Sequence, residues 1–454
     1  MTDNDVADWL FAKAKAGLGQ TSTMGDMEKA LDRACLEVRR IALERLVQEA
    51  VGRQPFDCPL CHGALNVGNY RRWRRVDTAF GKIAFARSYG FCVECQDHFY
   101  PADVALGLQE RAPSSPRIQE ICALTTLRAP AGQIEDDVYR ITGIPLKAST
   151  LHREARRQGD RALRLRDEDE RLAQDLQGVA KLAARAPKLQ DHSTMVIEID
   201  AWNIRERDNW GKTEAFLKAG NDTGRWHWVY TATVFRLDQR GTTVSGRPVI
   251  AERGFVATRK GIDTLKWLLY AEALQRGLRD CETVLILADG AIWIWNLASD
   301  RFKDAIQRVD LHHVQQHLWD LASELHGQGT MAAREWVHPY LKWLEKRKDG
   351  ALDVINSLEQ LSKNIGEFSK KEREAISSEL DYFREHKDRM DYKAGRASGQ
   401  PVGSGAIEST CSQYQRRFKL TGQFWTLAGD EAFLALSTLH RNGRWSLLFP
   451  HDAR

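Results

Sequence analysis

A mixed α/β core, interrupted by a helical insertion and preceded by smaller helical and cysteine-bearing modules, is the fold class this sequence predicts. Three observations carry it. Short β-rich runs alternate with helical stripes from Met195 onward, the pattern of a sheet with parallel strands. From Val314 to Ala394 the chain is helical in period and charged, with no strand signal. Two Cys-x-x-Cys pairs lie upstream among short alternating runs.

With 454 residues, the chain has room for several domains at roughly 100–200 residues each. Hydrophobic residues make up 43% and charged residues 28%, which excludes a collagen, a disordered tail or a mini-protein. No run of about 18 apolar residues offers a membrane span. The N-terminus is acidic where a signal peptide is basic, so a cytoplasmic, nucleoid-associated protein is expected. Net charge is +4, from 66 basic and 62 acidic side chains. That is too mild to mark a nucleic-acid binder, so the distribution of charge has to decide.

In chain order, residues 1–52 read as a helical N-terminal segment with a stripe of Leu31, Cys35, Val38, Ala42 and Leu46. Residues 53–112 hold Cys58, Cys61, Cys92 and Cys95. Each pair can place two thiolates on one ion, and four make the closed tetrahedral shell of structural zinc, a zinc-ribbon-like module. The interval between the pairs exceeds the roughly 15–20 residues usual in such ribbons, which implies extra hairpin length. Four separately buried thiols are the alternative. Between the pairs, Tyr70 is followed by Arg71, Arg72, Trp73, Arg74 and Arg75, a mixture suited to phosphate contact and stacking. A solvated hairpin tip is the other reading.

Residues 113–160 carry helical patterns over Ile118–Leu127, Gly132–Ile141 and from Thr150, with Gly143-Ile144-Pro145 as the turn before the third. This is a helix-turn-helix-like order. Arg153, Arg156 and Arg157 share a side of the third helix while Leu151 and Ala155 point inward, as a major-groove helix requires. A three-helix protein-binding module is the other reading. Residues 161–194 read as a charged helical linker.

Residues 195–313 form the first part of the α/β core, with strands over Met195–Asp200, Trp226–Leu237 and Thr283–Ala288 and a helix over Asp263–Gly277. Residues 314–398 are the helical insertion. Residues 399–454 complete the core, with a last helix from Ala406 to Lys419. Alternation puts Glu198 and Asp200 on one face of the first strand. The near-continuous apolar run Thr283–Ala288 reads as a buried parallel strand and delivers Asp289 at its C-terminal end, where sites of open α/β sheets form. Glu408 lies in the first turn of a helix, where the dipole favours its ionised form. Three carboxylates meeting at a sheet end call for hard divalent cations, Mg2+ or Mn2+. Two such ions serve phosphodiester chemistry. A strand-terminal aspartate that only forms a turn is the competing interpretation.

Ile199-Asp200-Ala201-Trp202, Ala288-Asp289-Gly290-Ala291-Ile292-Trp293 and Gly403-Ser404-Gly405-Ala406-Ile407-Glu408-Ser409-Thr410, with Gly422-Gln423-Phe424-Trp425 downstream, together resemble the DDE transposases of bacterial insertion sequences. The nearest likeness is to the ISKra type, related to Mutator-like transposases. The resemblance implies an RNase H-like catalytic core with Asp200, Asp289 and Glu408 as the triad holding two Mg2+ or Mn2+ ions. It implies cleavage and strand transfer of double-stranded DNA at terminal inverted repeats and target DNA, by a homodimer or larger assembly. Mutator-like relatives carry a C/D-x-x-H motif after the second aspartate, which Asp310-Leu311-His312-His313 fits. That puts Asp310 and His313 near the site, with a capping role for Asp310 as the competing interpretation. Arg416, Arg417 and Lys419 supply the basic charge expected after the glutamate, either as DNA contacts or as a solvated helix face. Trp202, Trp293 and Trp295 flank the acids, with core packing expected for at least two of them. An RNase H-fold nuclease or resolvase that cuts without joining, and a domesticated DNA-binding protein, are the rival functions.

Overall fold

The structure, a computed structural model, describes residues 3–53, 57–68, 71–109, 112–187, 193–207, 226–363, 366 and 368–450. Tyr70 lies outside the described residues. Two units divide the chain, Met1–Gln158 and Gly159–Pro450.

The first unit opens with two helices, α1 (Asp3–Lys15) and α2 (Met24–Gly52), where the sequence read one helical segment. Thr23 and Asp26 form a capping box that starts α2. Its inner stripe is Leu43, Val47 and Val51, packed on Val76, Ile83 and Phe85. Leu31 and Leu46, expected inside, are exposed. Polar side chains of α2 also bind a strand edge: Ala84 N–H donates to Glu44 (2.9 Å) and Ala86 N–H to Gln48 (3.0 Å). That blunts an edge otherwise open to another chain.

A hairpin of β2 (Arg72–Thr78) and β3 (Gly81–Arg87) stands beside a small antiparallel sheet of β1 (Asn66–Val67), β4 (Gly90–Cys92) and β5 (Asp97–Phe99). The short α3 (Pro101–Ala105) follows. Then α4 (Pro116–Thr126), α5 (Ala131–Thr142) and α6 (Ala148–Leu172) form the expected helical trio around Ile118, Cys122, Ile134, Val138 and Leu151. Gly143 ends α5 in the left-handed region, φ 70°. Helix α6 does not stop near residue 160. It runs unbroken across the expected domain-to-linker boundary, and the division between the units falls inside it.

The second unit is a mixed α/β fold. After α7 (Leu176–Ala183), its five-stranded sheet is built from β6 (Thr194–Arg205), β7 (Trp226–Arg236), β10 (Arg253–Thr258), β11 (Thr283–Ala288) and β12 (Ile306–Val309), with β8 (Arg240–Thr242) and β9 (Pro248–Ile250) as a separate ribbon. The order is β10-β7-β6-β11-β12. β10, β7 and β6 pair antiparallel, while β11 runs parallel to β6 and to β12. The central strand β6 therefore joins both halves. One face packs on α8 (Ile262–Gln275) and α9 (Ile292–Arg301), through Met195, Ile197, Ile199, Leu265, Leu269 and Ile294. Val196, Phe235 and Leu285 face the other way, on the side of α15 (Gly405–Phe418). A further buried helix, α16 (Leu427–Arg441), follows what the sequence took as the last helix.

The insertion is α10 (Leu311–His326), α11 (Met331–Lys346), α12 (Gly350–Lys363), α13 (Lys370–His386) and α14 (Tyr392–Ala397). Val314, Leu318, Val337, Leu358, Phe383 and Tyr392 share one continuous core with the sheet. It is therefore part of the α/β unit's core, not a separately packed body.

Candidate active site and metal centre

The Cys-x-x-Cys pairs do converge. Cys58, Cys61, Cys92 and Cys95 place their sulfurs within 4.8 Å of one another, with Cys61–Cys92 at 3.4 Å and Cys58–Cys95 at 3.7 Å. Both turns have the same shape: the residue after each second cysteine is left-handed, His62 at φ 60° and Gln96 at φ 54°. Leu60 N–H donates to Cys58 Sγ and Cys95 N–H to Cys92 Sγ, both at 3.4 Å. Burial pushes the Cys58 thiol up, but the amides of Cys61 and Leu60 and the thiols of Cys61 and Cys92 together bring it down to about 7. Four thiolates at this spacing can hold a structural metal such as zinc. His98 stacks on Tyr89 with ring centroids 5.0 Å apart and is not one of the four.

Strand alternation splits the arginine run. Arg71, Arg72, Trp73 and Arg75 are exposed. Arg74 shares the inward face with Val76 and Thr78, pairs with Asp103 at 2.5 Å and donates to the carbonyls of Gln109 and Ala112. Its charge is spent inside, which corrects the reading of the run as uniformly available to DNA. On α6, Leu151 and Ala155 are buried as expected, and Arg153 is exposed. Arg156 is half-buried, and Arg157 donates to both oxygens of the fully buried Glu154 at 3.1 Å. Arg416 and Lys419 are exposed. Arg417 is buried, its guanidinium over Trp425 and Phe433, and burial lowers it to about 10. It packs α15 and offers no charge to a surface ligand.

The acids come from β6, the end of β11 and α15. Asp200, on the central strand, is half-buried, and its carboxyl is pushed up by burial and by the charge of Asp289. The Ala201 amide, the Cys411 thiol and His313 act in the opposite direction. Asp289 closes β11 in a turn that needs glycine: Gly290 has φ +106°, and a Cβ there would sit 3.4 Å from Tyr382 Oη and 3.5 Å from His386 Nε2. Asp289 accepts from Ala291 N–H at 3.0 Å. Glu408 is exposed on the first turn of α15. It is linked to Asp200 through Cys411, one turn on: burial and then Asp200 raise this thiol, and Glu408 adds to the effect. The donor set is all carboxylate oxygen, which hard divalent cations accept. The three acids do not form a closed ligand cluster. Among the described residues, the four cysteines are the one group of potential ligands with donor atoms mutually within 4.8 Å.

Two buried carboxyls fix the helix that carries Glu408. Glu198, sharing a face of β6 with Asp200, is 1% exposed and accepts from Ile407 N–H at 2.7 Å. Burial raises it to about 8, against the lowering effect of that amide. Asp310 is fully buried and caps α10, accepting from His312 and His313 N–H at 2.5 and 3.1 Å. Its second oxygen accepts from Ser404 N–H. So Asp310 is consumed in capping α10 and tethering the loop before Glu408, while His313 is exposed beside Asp200. His317, one turn on, bonds Glu379 at 3.0 Å and stacks on Tyr382 at 3.9 Å.

Sequence reasoning placed Glu198 on the face of Asp200 but did not read its hold on the Glu408 helix. It missed Cys411, Tyr382 and His386 as neighbours of the acids, which only the packing of distant helices could show. Trp202 and Trp295 are core residues, donating from Nε1 to Thr231 Oγ1 (3.0 Å) and Gly290 O (3.1 Å). No protein-family model matches the chain, and no curated protein matches it in sequence.

Proposed function

We propose that the chain is a DDE-type DNA transposase with an RNase H-like catalytic core, cutting and joining double-stranded DNA at terminal inverted repeats and in target DNA, as a homodimer or larger assembly when bound. One feature carries the reading. The acid at the end of β11 raises the carboxyl of the acid in its parallel neighbour, the central strand, and a helix bearing a third acid is anchored to that same strand.

Asp200, Asp289 and Glu408 are the residues that would hold the divalent ions. Magnesium or manganese bound there would supply activation of the attacking oxygen and stabilisation of the leaving one. Water attacks a phosphodiester in line, forming one P–O bond and breaking another, and leaves a 3′-hydroxyl. That hydroxyl then attacks a target phosphodiester, and the target's own 3′-oxygen departs with a proton. No covalent bond to the protein forms. Glu198 and Asp310 are positioning residues, since they touch the backbone of the Ser404–Ile407 turn and not the reacting atoms. Exposed Arg71, Arg72, Trp73, Arg75, Arg153, Arg416 and Lys419 are the side chains available for DNA.

The test is cleavage of a labelled duplex carrying the termini of the chain's own element, with Mg2+ or Mn2+, beside Asp289→Asn. Metal-dependent cutting and strand-transfer products, both lost in the variant, are expected. Cutting without joining means a nuclease, and binding without cutting under either metal means a DNA-binding protein.

A further inference from the structure

At their far ends β6 and β7 present two unlike faces. Trp202, Ile204 and Val229 are buried on one. On the other, Ala201, Asn203 and Arg205 lie in register with Tyr230, Trp228 and Trp226. Trp226 and Trp228 are 54% and 52% exposed. The Arg205 guanidinium sits between two rings, 5.2 Å from that of Trp226 and 4.5 Å from that of Phe424. Lys419 Nζ is 5.8 Å from the Trp226 ring. Tyr230 meets Trp293 edge-on at 5.3 Å, and Trp293 belongs to the first turn of α9, just after Asp289. These aromatic side chains, with cations beside the outer ones, therefore occupy the sheet face opposite to that of Asp200.

We propose that Trp226 and Trp228, with Arg205, Phe424 and Lys419, form a stacking platform for unpaired bases of a DNA strand. Large rings left in water beside an arginine and a lysine match the two needs of a single strand: a π surface for bases and positive charge for phosphates. Side chains two apart on a strand stand about 6.8 Å from each other, twice the roughly 3.4 Å spacing of residues along a DNA strand, so one base plane fits between them. Intact duplex offers its base faces to nothing, so the occupant is a melted or overhanging segment. The inference deepens the transposase reading and rests on it for the source of that strand.

Binding is measured by fluorescence anisotropy in metal-free buffer, in the Asp289→Asn background so that nothing is cut. The probes are a blunt duplex and the same duplex with a single-stranded tail. The tail is expected to tighten binding, and Trp226→Ala/Trp228→Ala to remove about tenfold or more of that gain while blunt-duplex affinity stays. Trp226→Phe/Trp228→Phe, which keeps the rings, retains most of it. Equal affinity for tailed and blunt DNA overturns the proposal, as does a tail gain that survives in the alanine variant. So does an alanine variant altered in self-association alone, which makes the patch an interface between copies. Tail binding that persists in a protein whose wild type never cuts DNA overturns the catalytic reading and leaves this one standing.

Discussion

Asp310 shows how much a single buried carboxylate can organise. Three backbone N–H groups converge on it, two from the first turn of α10 and one from Ser404. A buried donor left without its acceptor costs about 1–3 kcal/mol, and loss of an N-cap about 0.5–2 kcal/mol. Asp310→Ala is therefore expected to destabilise the protein by about 2–4 kcal/mol, read as a lower urea midpoint. The same variant frees the loop before Glu408, so DNA cleavage should fall further than the loss of folded protein explains. An equal fall in both would mean that Asp310 serves folding alone. The motif Asp310-x-x-His313 was visible in the sequence, but its division of labour was not. A cap and a catalyst use the same residue type, and only the three amides around the carboxylate distinguish them.

At the scale of elements, α16 brings a second buried polar cluster against the end of β6. Glu431 accepts from Thr258 Oγ1 (2.7 Å) and from Arg259 N–H (2.6 Å), and pairs with Arg166 of α6 at 2.5 Å. Glu206 pairs with Arg259 and faces His227 at 3.6 Å. Asp430, fully buried beside them, is pushed up to about 9 by burial, then by Glu206 and Glu431, with Arg259 opposing. The folded protein therefore keeps a proton here that the unfolded chain releases at ordinary carboxylate pH. Such a group's contribution is full at acid pH and is lost as pH rises through its folded value. The urea midpoint of the wild type should fall from about pH 4, the ordinary carboxylate value, to about pH 9, and Asp430→Asn should lessen that slope. An unchanged slope in the variant would place the proton elsewhere. None of this was legible beforehand: α16 itself went unread, and a buried Asp-Glu pair has the same letters as a solvated helix start.

Taken whole, the molecule has two units, each with its own apolar clusters. Cys58, Leu65 and Cys92 anchor the cysteine module of the first, and a continuous core runs from the sheet into the inserted helices of the second. If a metal such as zinc holds the first together, the purified protein carries one zinc per chain. A strong chelator then lowers the thermal transition of the first unit and leaves that of Gly159–Pro450 in place. Both transitions moving together would show that the metal supports more than its own module. No described helix is long and apolar enough to cross a membrane.

Local chemistry determined a good part of this protein. The four cysteines, the α/β character after Met195, the strand Thr283–Ala288 and the presence of three helices after Pro113 were legible because each depends on spacing or period. Tertiary structure alone decided which charges remain available. Arg74 and Arg417 read as surface cations, yet burial against Asp103 and against Trp425 withdraws them. It also decided that Glu198 holds the Glu408 helix, that Tyr382 and His386 of the insertion close over Asp289–Gly290, and that Trp226 and Trp228 stay in water while Trp202 and Trp295 do not. Burial and electrostatic neighbourhood are sums over residues far apart in the chain. No local window of sequence contains those sums.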